Sequence, residues 1–267
     1  MGLEILKKYN IKAKKSLWQN FLVNDEIVKQ IAEIADIKWQ NIIEVGPGYW
    51  ALTEKLLVKN PKRLTLIELD RDMVEVLEKR VKNWDLKINN IDFQIKNIDI
   101  LKFIPEYENY YVIANIPYYI TSPILRHFLY DVEKNPEKMI ILMQKDVWNK
   151  IINSKKSSVL SLMISKKAKV EEKIFVAKDN FIPAPKVESS VLLFELHNLY
   201  DKYDDEKFLD FIKKSFTNPR KKLVNNLAKF WYDKKEIIKK LQKWWFWENT
   251  RPEELNINDW CELIKSI

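Results

Sequence analysis

The stretch NIIEVGPGYWALTEKL, residues 41–56, decides how this chain is read. Asn41 to Val45 form a short, nearly continuous apolar run that stops at a glycine pair, the signature of a strand buried on both faces. A helical pattern begins at about residue 51. Strand, tight glycine turn and helix together make a cradle for a nucleotide-like cofactor. Glycine lets the backbone approach a ligand closely, and the start of the helix offers unpaired N–H groups. Trp50 stands where such loops usually carry a third glycine, so the loop poses a question as well as an expectation.

Working outward, Asn24-Asp25 caps a helix with Ile27, Ile31, Ile34 and Ala35 on its apolar face. A strand is expected at 63–69 (RLTLIEL), followed by a helix carrying Met73, Val74, Val76 and Leu77. Apolar runs at 91–95, 110–114 and 138–143 read as buried strands, separated by helices near 122–130 and 144–153. Strands alternating with helices predict an α/β fold with a parallel, doubly wound sheet. Two later strands, 170–177 and 187–196, lie close enough in sequence to form an antiparallel edge pair. Beyond His197 the pattern is helical, at 205–216, 219–229, 233–243 and 257–265. The reading is therefore an α/β domain over residues 1–197 and a small helical domain over 198–267.

Composition narrows the function classes. There are 267 residues, 46% hydrophobic and 31% charged, as in ordinary globular chains. No apolar run is long enough for a membrane span, and the charged N-terminus has no signal-peptide core, so a cytoplasmic protein without a membrane is expected. One cysteine and two histidines leave no basis for a disulfide or a thiolate or imidazole metal cluster, and no metal is expected. The net charge of +8 favours a polyanionic partner. Lysines crowd the N-terminus, including Lys14 and Lys15, and Arg220, Lys221 and Lys222 are expected to open a C-terminal helix.

In an open α/β sheet, ligands bind at the carboxyl ends of the strands. Gly46 and Gly48 fall there. Glu68 ends the next strand, where a carboxylate can accept from ribose hydroxyls, and Asp99 follows the third strand, within reach of an adenine amino group. Taken alone, Glu68 reads equally as a solvated strand end and Asp99 as a cap. VIANIPYYITSPIL, residues 112–125, follows the fourth strand at the same sheet edge. The exocyclic nitrogen of adenine is a poor nucleophile because its lone pair is delocalised into the ring. An acceptor on Asn115 and a backbone carbonyl in the Ile116-Pro117 turn can each hold one of its N–H bonds and draw it towards tetrahedral geometry. Pro117 stiffens the turn, and Tyr118 can stack on an extruded base, worth roughly 1–3 kcal/mol. Catalysis of that kind is mostly positioning and polarisation. An ordinary Asn-Pro turn at a strand end is the plainer alternative.

At this point the chain resembles the ribosomal RNA adenine-N6,N6-dimethyltransferases, most closely the bacterial small-subunit (16S) type associated with kasugamycin sensitivity. The stretches that carry the resemblance include KKSLWQNFLVND (14–25), EVGPGYWALT (44–53), NIPYYITSPIL (115–125), FIPAPKVESSV (181–191), NPRKKLVNNL (218–227) and TRPEELNINDW (250–260). The resemblance implies a Rossmann-like class I methyltransferase sheet, mostly parallel with an antiparallel edge strand, and a small C-terminal helical domain. It implies S-adenosylmethionine as donor, and as acceptors two adjacent adenosines near the 3′ end of 16S rRNA within the immature small subunit; a monomer is the default expectation. By the same resemblance, Gln19, Asn20, Phe21 and Leu22 close the donor site. Gly46, Gly48, Trp50, Glu68, Leu69, Asp99, Ile100 and Asn115 line it, and Asn115, Pro117, Tyr118 and Phe181 hold the target base. Lys14, Lys15, Arg220, Lys221 and Lys222 are the expected RNA contacts. The 23S rRNA adenine methyltransferases of macrolide resistance are the nearest alternative, and a non-catalytic ribosome-assembly factor is the alternative of another class.

Two departures from the family pattern are Trp18 and Trp50, where glycine is usual. An indole at position 50 is expected to collide with the methionine end of the donor or to force the loop apart. The chain holds three glycines and ten tryptophans, against about 19 glycines at a usage of roughly 7%. Trp39 and several of Trp148, Trp231, Trp244, Trp245 and Trp247 also fall at places that suit glycine. One expectation is a source organism that decodes UGA as glycine; the other is genuine divergence with impaired catalysis.

Overall fold

The computed structural model describes every residue except 1–5, 10, 12, 15–16, 84, 87, 89, 116–119, 154–155, 244 and 267. The chain divides into two compact units, Met1–Trp148 with Val170–Leu196, and Asn149–Lys169 with His197–Ile267. The boundary at 197 read from sequence therefore misses an excursion. Residues 149–169 belong with the helical tail, and the chain then returns to complete the first unit.

In the first unit, β1 (Phe21–Leu22) leads to α1 (Asp25–Glu33). Asn24 caps α1 by accepting from the N–H groups of Glu26 and Ile27, and Val28, Ile31 and Ala32 are its buried face. Then come β2 (Asn41–Val45), α2 (Ala51–Val58), β3 (Arg63–Glu68), α3 (Arg71–Lys82), β4 (Asp92–Asn97) and β5 (Tyr110–Asn115). After α4 (Thr121–Arg126) and β6 (Lys138–Gln144), the helix expected at 144–153 is present as α5 (Lys145–Trp148) continued by a π-helical segment at Asn149–Asn153. A further helix, α6 (Val159–Lys167), lacked a clear amphipathic period in the sequence. It is held at its start by a reciprocal Ser158–Ser161 capping box. Next come β7 (Ala168–Val176), β8 (Phe181–Ile182) and β9 (Ser189–Leu196).

Seven strands make one sheet in the order β4-β3-β2-β5-β6-β9-β7. The pairs β3–β4, β2–β3, β2–β5 and β5–β6 are parallel. β9 runs antiparallel to β6, and β7 lies beyond it at the edge. β2, β5 and β6 are buried along nearly their whole length, which explains their continuous apolar runs. Ile42, Leu56, Leu64, Leu77, Ile113 and Val191 belong to the core cluster, against which Ile27, Ile34 and Ala35 of the first helical segment also pack. A separate two-stranded ribbon pairs β1 with β8.

In the second unit, α7 (Asp205–Ser215), α8 (Leu223–Leu227), α9 (Lys234–Gln242) and α10 (Ile257–Ser266) join α6. The predicted helix at 219–229 starts later. Arg220 and Lys221 are exposed in the turn before it, and Lys222 is its N-cap position. Trp260 is fully buried, with ring contacts to Phe211 at 6.0 Å and Phe216 at 5.8 Å.

Candidate active site

Strand register builds the site. Val45 of β2 pairs with Ile67 of β3 on one side and Ala114 of β5 on the other. The sheet grows outward through β3 and β4 one way and through β5 and β6 the other, so the crevice beyond β2 and β5 is the topological switch point. One residue past those pairs lie Gly46, Glu68 and Asn115, brought together from segments far apart in sequence. The Gly46 N–H donates to Ile67 O at 3.0 Å. Gly48 has φ +56°, and a Cβ there would meet the Phe21 ring at 3.4 Å. The positive φ favours glycine at that position, while the contact a Cβ would make is of ordinary van der Waals length.

A cavity opens at this point, lined by Gln19, Asn20, Phe21, Leu22, Gly46, Gly48, Glu68, Leu69, Asp99, Ile100 and Asn115. Glu68 is buried and accepts from Asp70 N–H at 2.8 Å through Oε1 and from Gly48 N–H at 3.4 Å through Oε2. Burial raises its carboxyl above the ordinary value, opposed by these N–H bonds. Asp99 accepts from Leu101 N–H at 3.0 Å, so it caps a short 3-10 turn as well as facing the cavity. Gln19 accepts from Lys14 N–H at 2.9 Å and donates to Asp70 at 3.2 Å, which fixes the segment that closes the cavity.

Four of the expected site residues have surroundings that the sequence did not show. Trp50 does not line the cavity. Its indole is fully buried in the core, where the Arg80 guanidinium lies 5.2 Å from the ring. The backbone there is left-handed (φ 70°). For an L-residue this conformation costs about 1–2 kcal/mol, and the buried indole N–H has no partner, a further cost of about 1–3 kcal/mol. Phe181 is likewise buried in the core cluster and is not among the residues that line this cavity. The β1–β8 pairing points Phe181 inward and Ile182 outward, following the two-residue period of a strand. Lys14 is not a free cation, because its ammonium is 2.6 Å from Asp70 and 2.6 Å from Asp72. Lys222 is paired with Glu248 at 3.2 Å, which leaves Arg220 and Lys221 as the exposed basic residues of that trio. Pro117, Tyr118, Lys15 and Trp244 lie outside the described residues.

Sequence reasoning missed Glu44. It lines the cavity, is 1% exposed, and its Oε2 has no hydrogen-bond partner. Burial pushes its carboxyl up to about 8, and the neighbouring Glu68 charge adds to the effect. The signal was present as a carboxylate in the middle of the otherwise apolar NIIEV run. Tyr49 was missed as well. Its hydroxyl donates to Leu22 O, and its ring meets Phe21 edge-on at 5.6 Å, tying the glycine loop to β1. Trp18 does border the cavity, 68% exposed.

A mostly parallel seven-stranded sheet, with its cavity at the β2–β5 switch point and a glycine loop at the edge, is the fold of a class I methyltransferase. Residues 10–267 match the ribosomal RNA adenine dimethylases, and the chain belongs to that family. A ribosomal RNA small subunit methyltransferase A from Mesomycoplasma hyopneumoniae (strain J) is 38% identical over 247 residues, covering 91% of this chain and 92% of that protein. The crystal structure of a dimethyladenosine transferase from Plasmodium falciparum superposes with a TM-score of 0.77 at 22% identity, covering 91% of this chain and 95% of that one. A 23S rRNA methyltransferase, ErmE, superposes with a TM-score of 0.71 at 21% identity, covering 92% and 98%. Both structures share the fold, so fold alone does not separate the two RNA substrates.

Proposed function

We propose that this enzyme transfers methyl groups from S-adenosylmethionine to N6 of two adjacent adenosines near the 3′ end of 16S rRNA, within the immature small ribosomal subunit. The observation that carries the reading is the meeting of Gly46, Gly48, Glu68, Asp99 and Asn115 around one cavity at the switch point of the sheet. The similarity to a small-subunit enzyme favours 16S over 23S rRNA.

The residues present suit the donor. Two buried carboxyl groups, Glu44 and Glu68, face one cavity, and a cationic ligand beside them would favour their ionised forms. Gly46 and Gly48 would admit its backbone-facing part, Glu68 would hold the ribose and Asp99 the adenine. When bound, S-adenosylmethionine supplies an electrophilic methyl group on a sulfonium. Asn115 would accept one N–H of the target amine and aim its lone pair into the cavity. Such a device needs no strong base, because the methylated nitrogen becomes acidic. A target base must leave its stack to reach Asn115, at a cost of a few kcal/mol, lower in a loop or hairpin. The helical unit, with Arg220 and Lys221 exposed, would supply phosphate contacts. No helix among the described residues is long and apolar enough to cross a membrane, and we place the enzyme in the cytoplasm as a monomer.

The test is methyl transfer to unmethylated small subunits and, in parallel, to 23S rRNA. Asn115→Ala is expected to lower kcat by roughly 100-fold or more while leaving the thermal midpoint unchanged. Full-speed modification by that variant, or preference for 23S rRNA, would overturn the proposal.

A further inference from the structure

Among the described residues, seven other than glycine adopt a left-handed backbone: Asn60, Asn109, Trp18, Trp39, Trp50, Trp231 and Trp245. Asparagine is the ordinary non-glycine occupant of that region, while a bulky side chain there is a genuine outlier. Eight tryptophans are described (18, 39, 50, 148, 231, 245, 247 and 260), and five of them sit at positive φ. Only a few per cent of non-glycine residues do so in general. The five share no packing role. Trp39, Trp231 and Trp245 are 71%, 98% and 89% exposed, and Trp50 is fully buried. What they share is the local geometry that glycine serves.

Each position has its own glycine rule. Trp245 donates to Gln242 O at 3.3 Å and Phe246 donates to Leu241 O at 3.1 Å. This is the Schellman closure of α9, with Trp245 at the C′ position that glycine dominates. Trp231 follows a 3-10 turn as its left-handed cap. Trp39 is the third residue of a turn closed by Gln40 N–H to Ile37 O at 3.1 Å, where positive φ selects glycine or asparagine. Trp50 closes the loop turn on Pro47 O and starts α2 without a side-chain cap. The Nε and Nη1 of Arg80 beside Trp50 lack partners, whereas the unpartnered indole N–H of Trp50 is shared with Trp148 and Trp260 and does not set it apart.

We propose that positions 18, 39, 50, 231 and 245 are glycine in the polypeptide that the source cell makes, decoded from UGA codons, and that the loop of the working enzyme is Gly-Pro-Gly-Tyr-Gly. Trp148, Trp247 and Trp260 lie outside the left-handed region. Trp260, packed against Phe211 and Phe216, is the clearest genuine tryptophan and is encoded by UGG. The proposal therefore separates two kinds of tryptophan position by backbone geometry alone.

Three measurements test it. Peptides of the native protein, read by mass spectrometry beside the gene, carry glycine at UGA for all five positions and tryptophan at UGG for 260. Tryptophan at the five, or glycine at 260, overturns the assignment. The five-glycine chain melts several degrees above the tryptophan chain, and Trp50→Gly alone raises the melting temperature. A genuine core tryptophan would do the opposite, and loss of folding in Trp50→Gly also counts against the proposal. The last measurement rests on the donor reading above: because Trp18 borders the cavity, S-adenosylmethionine binds the five-glycine chain at least tenfold more tightly. Unchanged affinity together with glycine in the native peptides would leave the decoding intact and overturn the part of the proposal that ties position 18 to the donor site.

Discussion

Glu44 sits in the middle of a buried strand with one carboxylate oxygen unpartnered, and its carboxyl titrates at about 8 against an ordinary 4.5. An acid raised in the folded state binds more protons folded than unfolded between those values, so stability falls as pH rises across that window. Glu44→Gln removes the dependence. Urea midpoints should show wild type losing stability relative to the variant from about pH 5 to about pH 8, with the difference level on either side. A constant difference across the whole range would mean that Glu44 is ionised throughout. At the same scale, Trp50 combines a left-handed φ with a fully buried side chain in the core, where the sequence placed it beside the donor.

Among the elements, α6 and α7 are joined by a buried cation. The Lys166 ammonium is fully buried and donates to Tyr203 O at 2.9 Å and to the Asp205 carboxylate. Lys167 reaches the other oxygen of Asp205 at 2.6 Å. Burial works against ionisation of Asp205, but the hydrogen bonds from Lys166 and Lys167 outweigh it and hold the carboxyl below its ordinary value. That contribution is present above the ordinary carboxylate pKa and is lost as pH falls through the folded one. Asp205→Asn strands a buried charge, and calorimetry should show a loss of about 3 kcal/mol at neutral pH. Lys166→Met combined with Asp205→Asn should recover much of it, because the uncompensated charge is then gone. The excursion that carries α6 was hard to read because Val159–Lys167 is apolar or buried around most of its surface and has no clear polar face.

On the scale of the whole molecule, an excess of eight positive charges does not translate into eight free cations. Lys14 and Lys222 are both held by carboxylates, while Arg220 and Lys221 are exposed. Replacing Arg220 and Lys221 with glutamine should weaken RNA binding and reduce the slope of log affinity against log salt by about 1.5, from the loss of two phosphate contacts. Donor affinity should be unchanged. An unaltered slope would remove these residues from the RNA interface.

Much of the fold was legible because parallel strands buried on both faces leave continuous apolar runs, and β2 over Asn41–Val45 matched its reading residue for residue. That Gly46, Gly48, Glu68 and Asp99 stand at or just beyond strand ends was legible as well, and these residues line the cavity. What sequence by itself determined is the set of strands and the residues at their carboxyl ends. Only the tertiary structure decided which ends meet, which face Phe181 and Trp50 turn to, and which lysines remain free. Those outcomes depend on strand order, pairing register and backbone handedness, which are properties of contacts between distant segments and are not written in any one of them.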